Sequence, residues 1–192
     1  MGRFINITSE FNTNISRSKF ALDTNVLYWM FYGNSIYSKK YQSKYPDVVI
    51  KLKSRSNNLF VSTVNICELF NLIERNEYEL YKSIHQKDDE FTLKQYRKIE
   101  DERKKVQKAL GLIYKQIKSF VTIIDQSVSQ NILTRFYSEY NLHKLDLYDY
   151  SLLDFCEVNK ISNIITDDSD FIKADKFDIF TANESFFKKD NT

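Results

Sequence analysis

The stretch that decides the fold is Phe20-Ala21-Leu22-Asp23-Thr24-Asn25-Val26-Leu27. A short apolar run delivers one aspartate, two small polar residues follow, and apolar periodicity then resumes through Leu27, Tyr28 and Phe31. A buried strand that ends in a carboxylate and turns into a helix has this pattern. In open α/β sheets ligands sit outside the carboxyl ends of the strands, so Asp23 stands where chemistry is expected. An aspartate at that place also caps helices, and the stretch alone leaves both roles open.

Working outward, the alternation of strand and helix continues. Residues 19–23 form the first strand and residues 25–32 a helix, broken at Gly33-Asn34-Ser35. A short helix over 37–45 precedes Pro46, a further one covers 47–55, and Ser56-Asn57-Asn58 reads as a turn. Leu59-Phe60-Val61-Ser62-Thr63 is a second strand running into a helix over 65–75. Residues 120–124 make a third strand ended by Asp125, residues 127–140 and 146–159 two helices, and residues 162–166 and 178–181 the last two strands. This order predicts an α/β fold, a parallel or mostly parallel sheet of about five strands sandwiched by helices. Residues 1–18 are polar and weakly patterned, a loose lead-in to a single domain over 19–192. Apolar residues Ile99, Val106, Leu110, Ile113 and Ile117 recur at helical spacing in a heavily charged segment. That stripe marks a solvated helix with one face on the body, or else an arm used for dimerisation or a partner.

The chain has 192 residues, 42% hydrophobic and 28% charged, which suits one globular domain with a full core. A net charge of +2 makes no demand for a nucleic-acid partner, so any basic surface is local. Cys67 and Cys156 lie in apolar runs without metal-ligand spacing and read as buried thiols of a reducing compartment. Asn6 stands where a myristoylation motif wants Ser or Thr. No signal-peptide apolar region and no membrane-spanning run is present, and the expectation is a cytoplasmic protein without a membrane partner.

Several carboxylates share the apolar sides of these elements. Glu68 sits one turn after Val64 and beside Cys67, which calls for a cation or a polar cleft nearby. Asp149 shares a helical face with Leu152, Leu153 and Cys156; Asp146 lies one turn earlier and competes as the cap, while Asp154 lies off that face and reads as solvated. Asp167, Asp168 and Asp170 crowd the end of the fourth strand, where like charges repel unless something positive sits among them. Such a set of hard oxygens suits Mg²⁺ or Mn²⁺ rather than zinc. Such an ion activates water and steadies the leaving oxygen in phosphodiester hydrolysis. No Gly-rich phosphate loop exists, and His85 and His143 are the only histidines; a phosphate contact by His143 or Lys144 is a minor alternative.

These pieces resemble the PIN domain, a family of metal-dependent nucleases. The matching motifs are Leu22-Asp23-Thr24-Asn25-Val26-Leu27, Ser62-Thr63-Val64-Asn65-Ile66-Cys67-Glu68-Leu69, Asp149-Tyr150-Ser151-Leu152-Leu153 and Ile164-Ile165-Thr166-Asp167-Asp168-Ser169-Asp170-Phe171, in the family's order. The resemblance implies a three-layer α/β/α domain in which Asp23, Glu68, Asp149 and Asp168 are the catalytic, metal-binding acids. Asp170 assists them, and Thr24, Asn25 and Thr166 take accessory polar positions. It further implies an endoribonuclease using Mg²⁺ or Mn²⁺ and a metal-activated water on an RNA substrate. Small stand-alone members are often toxins of toxin–antitoxin pairs, commonly dimeric. The chain departs from the compact toxins in its charged helical insertion, about residues 85–118. Asp146 and Asp149 both stand near the third acidic position, and the spacing to Leu152-Leu153 favours Asp149. The alternatives are a non-catalytic scaffold that binds RNA or protein and a structure-specific DNA nuclease.

Overall fold

In the computed structural model, residues 2–8, 15–33, 39–141 and 144–187 are described. Six strands form one sheet: β1 (Phe4–Asn6), β2 (Lys19–Leu22), β3 (Asn58–Ser62), β4 (Thr122–Ile124), β5 (Asn163–Ile165) and β6 (Asp178–Thr181). Their spatial order is β1-β6-β5-β2-β3-β4, and every pair is parallel. The helices are α1 (Thr24–Phe31), α2 (Lys44–Ser54), α3 (Thr63–Ile84), α4 (Leu93–Tyr96), α5 (Glu100–Phe120), α6 (Gln130–Glu139) and α7 (Leu147–Val158).

The period of two along each strand divides the core. Phe20 and Leu22 of β2, Leu59 and Val61 of β3, Ile165 of β5 and Phe180 of β6 face one layer, with α1, α2, α3 and α5. Ala21, Ile164 and Ile179, one residue out of phase, face the other layer, where α7 supplies Leu152, Phe155 and Cys156. Parallel registry stacks Phe20 beside Leu59 and Leu22 beside Ile165, so each apolar row runs unbroken across the sheet.

Several sequence expectations are corrected. The lead-in is structured at its start, because Phe4–Asn6 adds β1 beside β6 as a sixth strand. It is held there by the Arg3–Asp178 ion pair at 2.7 Å. Gly2 passes so close to the Phe177 backbone that no Cβ could be accommodated. Pro46 does not separate two helices; it lies in the first turn of α2, where a missing N–H breaks no helical bond. The expected helix over 37–45 lies partly outside the described residues, and its remainder is a 3₁₀ turn, Lys40–Ser43. α3 runs to Ile84, well beyond residue 75, because Asn76 and Glu77 find partners in the Tyr32 hydroxyl. The charged segment is helical only from Glu100 on, apart from the short α4, and it buries Val106, Ile113 and Ile117. Cys156 is buried, but Cys67 is exposed, since α3 turns Ile66, Leu69 and Ile73 inward instead. Asp154 is not solvated but half-buried beside Arg135, at 3.6 Å.

Removing the Phe155 ring from the smaller core layer should cost about 3–5 kcal/mol of unfolding free energy. Truncating Val158, one turn on and 73% exposed, should cost less than about 0.5 kcal/mol. Urea unfolding of Phe155→Ala and Val158→Ala checks the pair, and equal costs would contradict the layering.

Candidate active site

The chain leaves β2 towards β3 and β4 on one side, then crosses back to β5 and β6 on the other. The switch point therefore lies between β2 and β5, where ligands of open parallel sheets bind. Asp23 and Thr166 follow these two strands directly. The Thr166 hydroxyl donates to Asp23 Oδ2 at 2.8 Å, and the Asp23 amide donates to the Ile165 carbonyl at 3.1 Å. Asp23 is also the N-cap of α1, its Oδ1 accepting from the Thr24 amide at 2.6 Å. The two roles left open by the sequence thus coincide in one residue, which is only 5% exposed.

A buried polar chain extends from there to the end of β3. Ser62 caps α3 and donates to Asn65 Oδ1 at 2.8 Å; Asn65 Nδ2 donates to the Thr24 hydroxyl at 3.2 Å; Thr24 in turn donates to Glu68 Oε2 at 2.5 Å. Glu68 reaches the site because it lies on the same side of α3 as Asn65, one turn on. Ser62, Thr24 and Asn65 are all buried. Each acceptor or donor in the chain is met, which fixes the Glu68 carboxylate from behind.

The third acid comes from the start of α7. Asp146 and Asp149 form a capping box, Asp146 Oδ1 accepting from the Tyr148 and Asp149 amides at 2.8 and 2.9 Å. Asp149 Oδ2 accepts from the Asp146 amide at 3.2 Å. Asp149 is the more buried and feels Asp23 directly, whereas Asp146 is exposed and acts on Glu68, Asp149 and Asp168. Asp168 completes the group from the loop after β5, its amide bonded to the Thr166 hydroxyl at 3.0 Å.

The crowded turn after β5 divides its labour. Asp167 is engaged structurally, accepting from Gln42 Nε2 at 2.9 Å and from the buried Tyr45 hydroxyl at 2.8 Å. Asp168 faces the acids, and Asp170 stands behind it, its amide donating to Asp168 Oδ1 at 2.8 Å. Asp125, at the end of β4, is exposed and apart. Sequence reasoning did not single out Ser62, Asn65, Gln42 or Tyr45. The buried-residue signal was present only for Ser62, at the end of an apolar strand. His85 ends α3, stacked on Tyr81 far along the helix, and His143 lies outside the described residues.

Electrostatically the acids are in tension. Burial pushes the Asp23 carboxyl up to about 7 and the Asp149 carboxyl up to about 8, and neighbouring carboxylates add to both. Glu68 and Asp168 are raised for the same reasons, burial first. Among the described residues, the charges acting on these four groups are those of other carboxylates, with no cation among them. Among the described residues no three acidic, His or Cys side chains already close on a metal-sized point. The donor set itself fits a hard divalent cation: oxygens only, partly desolvated, mutually repelling and lacking a positive partner. Asp23, Glu68, Asp149 and Asp168 are the residues that could hold one.

Between the unfolded carboxyl value, near 3.8, and about 7 to 8 the folded chain binds more protons than the unfolded chain. Stability in EDTA should therefore be greatest at low pH in this window and fall as pH rises through it. Thermal midpoints from pH 5 to pH 8 should show this fall, and Asp149→Asn should flatten it and exceed the parent at pH 8. Parallel profiles would mean that the Asp149 carboxyl is not raised by the fold.

No curated protein matches the chain. Among solved structures it is similar to VapBC2 from Rickettsia felis bound to a DNA fragment from their promoter, at 14% identity and a TM-score of 0.48, over 85% of this chain and 98% of that one. It is also similar to FitAcB from Neisseria gonorrhoeae, at 12% identity and a TM-score of 0.45, over 84% and 96% of the two chains. The sequence model of the PIN domain matches residues 20–177, from the start of β2 to just before β6. That span carries every acid of the site and most of the chain, and the chain belongs to the PIN domain family.

Proposed function

We propose that the protein is a metal-dependent endoribonuclease, hydrolysing RNA phosphodiester bonds with Mg²⁺ or Mn²⁺ in the cytoplasm. The observation that carries this reading is the convergence of Asp23, Glu68, Asp149 and Asp168 on the switch point, alike in charge and with no cation acting on them among the described residues, in a chain of the PIN family. When bound, a divalent ion there lowers the pKa of its water and offsets charge on the scissile phosphate. The four acids hold the ion, with Asp170 assisting from behind Asp168. Thr166 holds the Asp23 carboxylate in place and Thr24 holds Glu68. Asn25, exposed at the first turn of α1, offers its amide to the phosphate or ribose. The reading needs no side-chain base, in keeping with His85 being remote. Its fuller form is the toxin of a toxin–antitoxin pair, with an antitoxin protein and a second copy as partners, the role that small stand-alone members of the family often have. No described helix is long and apolar enough to cross a membrane.

Asn in place of Asp23 keeps a capping side chain and removes the charge. Cleavage of labelled single-stranded RNA with Mn²⁺ should fall in Asp23→Asn by more than the roughly 10- to 100-fold typical of losing a ligand's hydrogen-bond partner. Thr24→Val, which releases Glu68, should fall within that range of roughly 10- to 100-fold. EDTA should abolish the wild-type activity. Cleavage that survives EDTA or Asp23→Asn overturns the proposal.

A further inference from the structure

Beside the acids lies a cleft of about 270 Å³ whose lining differs from theirs. Asn25, Tyr28 and Trp29 stand at helical spacing on one face of α1, and Leu72 stands one turn beyond Glu68 on α3. Gln42 of the Lys40–Ser43 turn, Asp167 and Asp168 complete the wall, so the cleft and the acidic group share an edge. Beyond Tyr28 and Leu72, α1 and α3 are tied by the Asn76 Nδ2 bond to the Tyr32 hydroxyl at 2.9 Å. The cleft thus offers the exposed edges of two largely buried rings and one aliphatic side chain, with the Asn25 and Gln42 amides and the Asp167 and Asp168 carboxylates beside them. Its volume lies just below the range of roughly 300–1,000 Å³ typical of small-molecule sites, which suits one flat heterocycle better than a larger ligand.

The segment that carries Gln42 has the opposite charge to the acids, and its Lys39 lies close enough to Asp167 to feel that charge. Lys39, Lys40 and Lys44 flank Gln42 on the same short segment, all exposed, with no acidic residue before Asp47. A peptide complementary to the acids would be basic and would meet these lysines with like charge. A nucleotide matches both halves, a phosphate for the lysines and a flat apolar face with a polar edge for the cleft. We propose that the cleft receives one unpaired base of the nucleic-acid strand, next to the phosphate presented to the acids, with its backbone against the Lys39–Lys44 rim. The inference rests on the nuclease reading for the placement of that phosphate. A paired base is held in its stack and cannot enter, so the subsite selects single strands.

Trp29 is the sole tryptophan of the chain, and its emission reports on this cleft directly. The full-length Asp23→Asn protein in Mg²⁺ is titrated with a single-stranded oligoribonucleotide, an abasic oligomer of the same length and a duplex. The single strand should quench Trp29 saturably; the abasic oligomer and the duplex should leave emission unchanged and bind roughly tenfold more weakly. Leu72→Phe, which carries a ring into the cleft, should lower the single strand to the abasic level, while Leu112→Phe at an exposed position should not. Equal binding of normal and abasic strands overturns the subsite even if Leu72→Phe fails to fold. Emission unmoved by any oligomer, as expected for a cleft that accepts a protein segment, overturns it too. Wild-type cleavage is measured in parallel. Base-dependent quenching without cleavage keeps the subsite and removes the nuclease reading, and cleavage with base-independent binding does the reverse.

Discussion

One contact organises this molecule: the bond from the Thr166 hydroxyl to Asp23, beneath the ladder bond from the Asp23 amide to Ile165. It ties the two central strands where the chain reverses its direction of travel across the sheet. A carboxylate taken out of water is expensive, and one nearly enclosed by protein persists only where hydrogen bonds or a counter-charge offset the loss. Here the hydrogen bonds are supplied by the chain, and the counter-charge is not. The parallel sheet, with its strand ends all facing one way, gathers the remaining acids at the same edge.

The surroundings of that edge are arranged to hold carboxylates rather than to neutralise them. Hydroxyls and amides from two strand ends run in a relay from Ser62 through Asn65 and Thr24 to Glu68. Tyr45 and Gln42 hold Asp167 by hydrogen bonds, and its charge still acts on the neighbouring Asp168. Tyr45 also meets the Ala182 amide and the Thr166 carbonyl, which locks the loops after β5 and β6 together. Rigid donors behind and unmatched charge in front are the conditions for a preorganised cation site.

Much of this was legible in the sequence, for identifiable reasons. Strands buried on both faces read as apolar runs, and those ending in Asp23, Ser62 and Thr166 announce themselves by the abrupt change to polar residues. β1 was hidden because Phe4-Ile5-Asn6 is short and lies at an edge, where one ion pair replaces a core. The far half of α3 was hidden because its stripe turns polar at Asn76 and Glu77, whose partner Tyr32 is more than 40 residues away. The four acids could be expected together from their positions at strand and helix starts. What fixes the neighbouring Asp167 could not, since Gln42 and Tyr45 meet it across 125 and 122 residues of chain. Nor does periodicity show that a cysteine in an apolar run, Cys67, ends on the outer side of its helix.

Three of the four acids of the site also stand where regular structure begins. Asp23 opens α1, the Asp146–Asp149 box opens α7, and Asp168 opens the Ser169–Lys173 turn. Losing a cap costs about 0.5–2 kcal/mol, a sizeable part of a small domain's margin. Mutational drift at these positions is therefore answered twice, once in chemistry and once in folding. A descendant that no longer needed the chemistry would still be under pressure to keep cap-forming side chains there. The change it could accept most easily is Asp to Asn, which leaves the helix starts intact and only the charge gone.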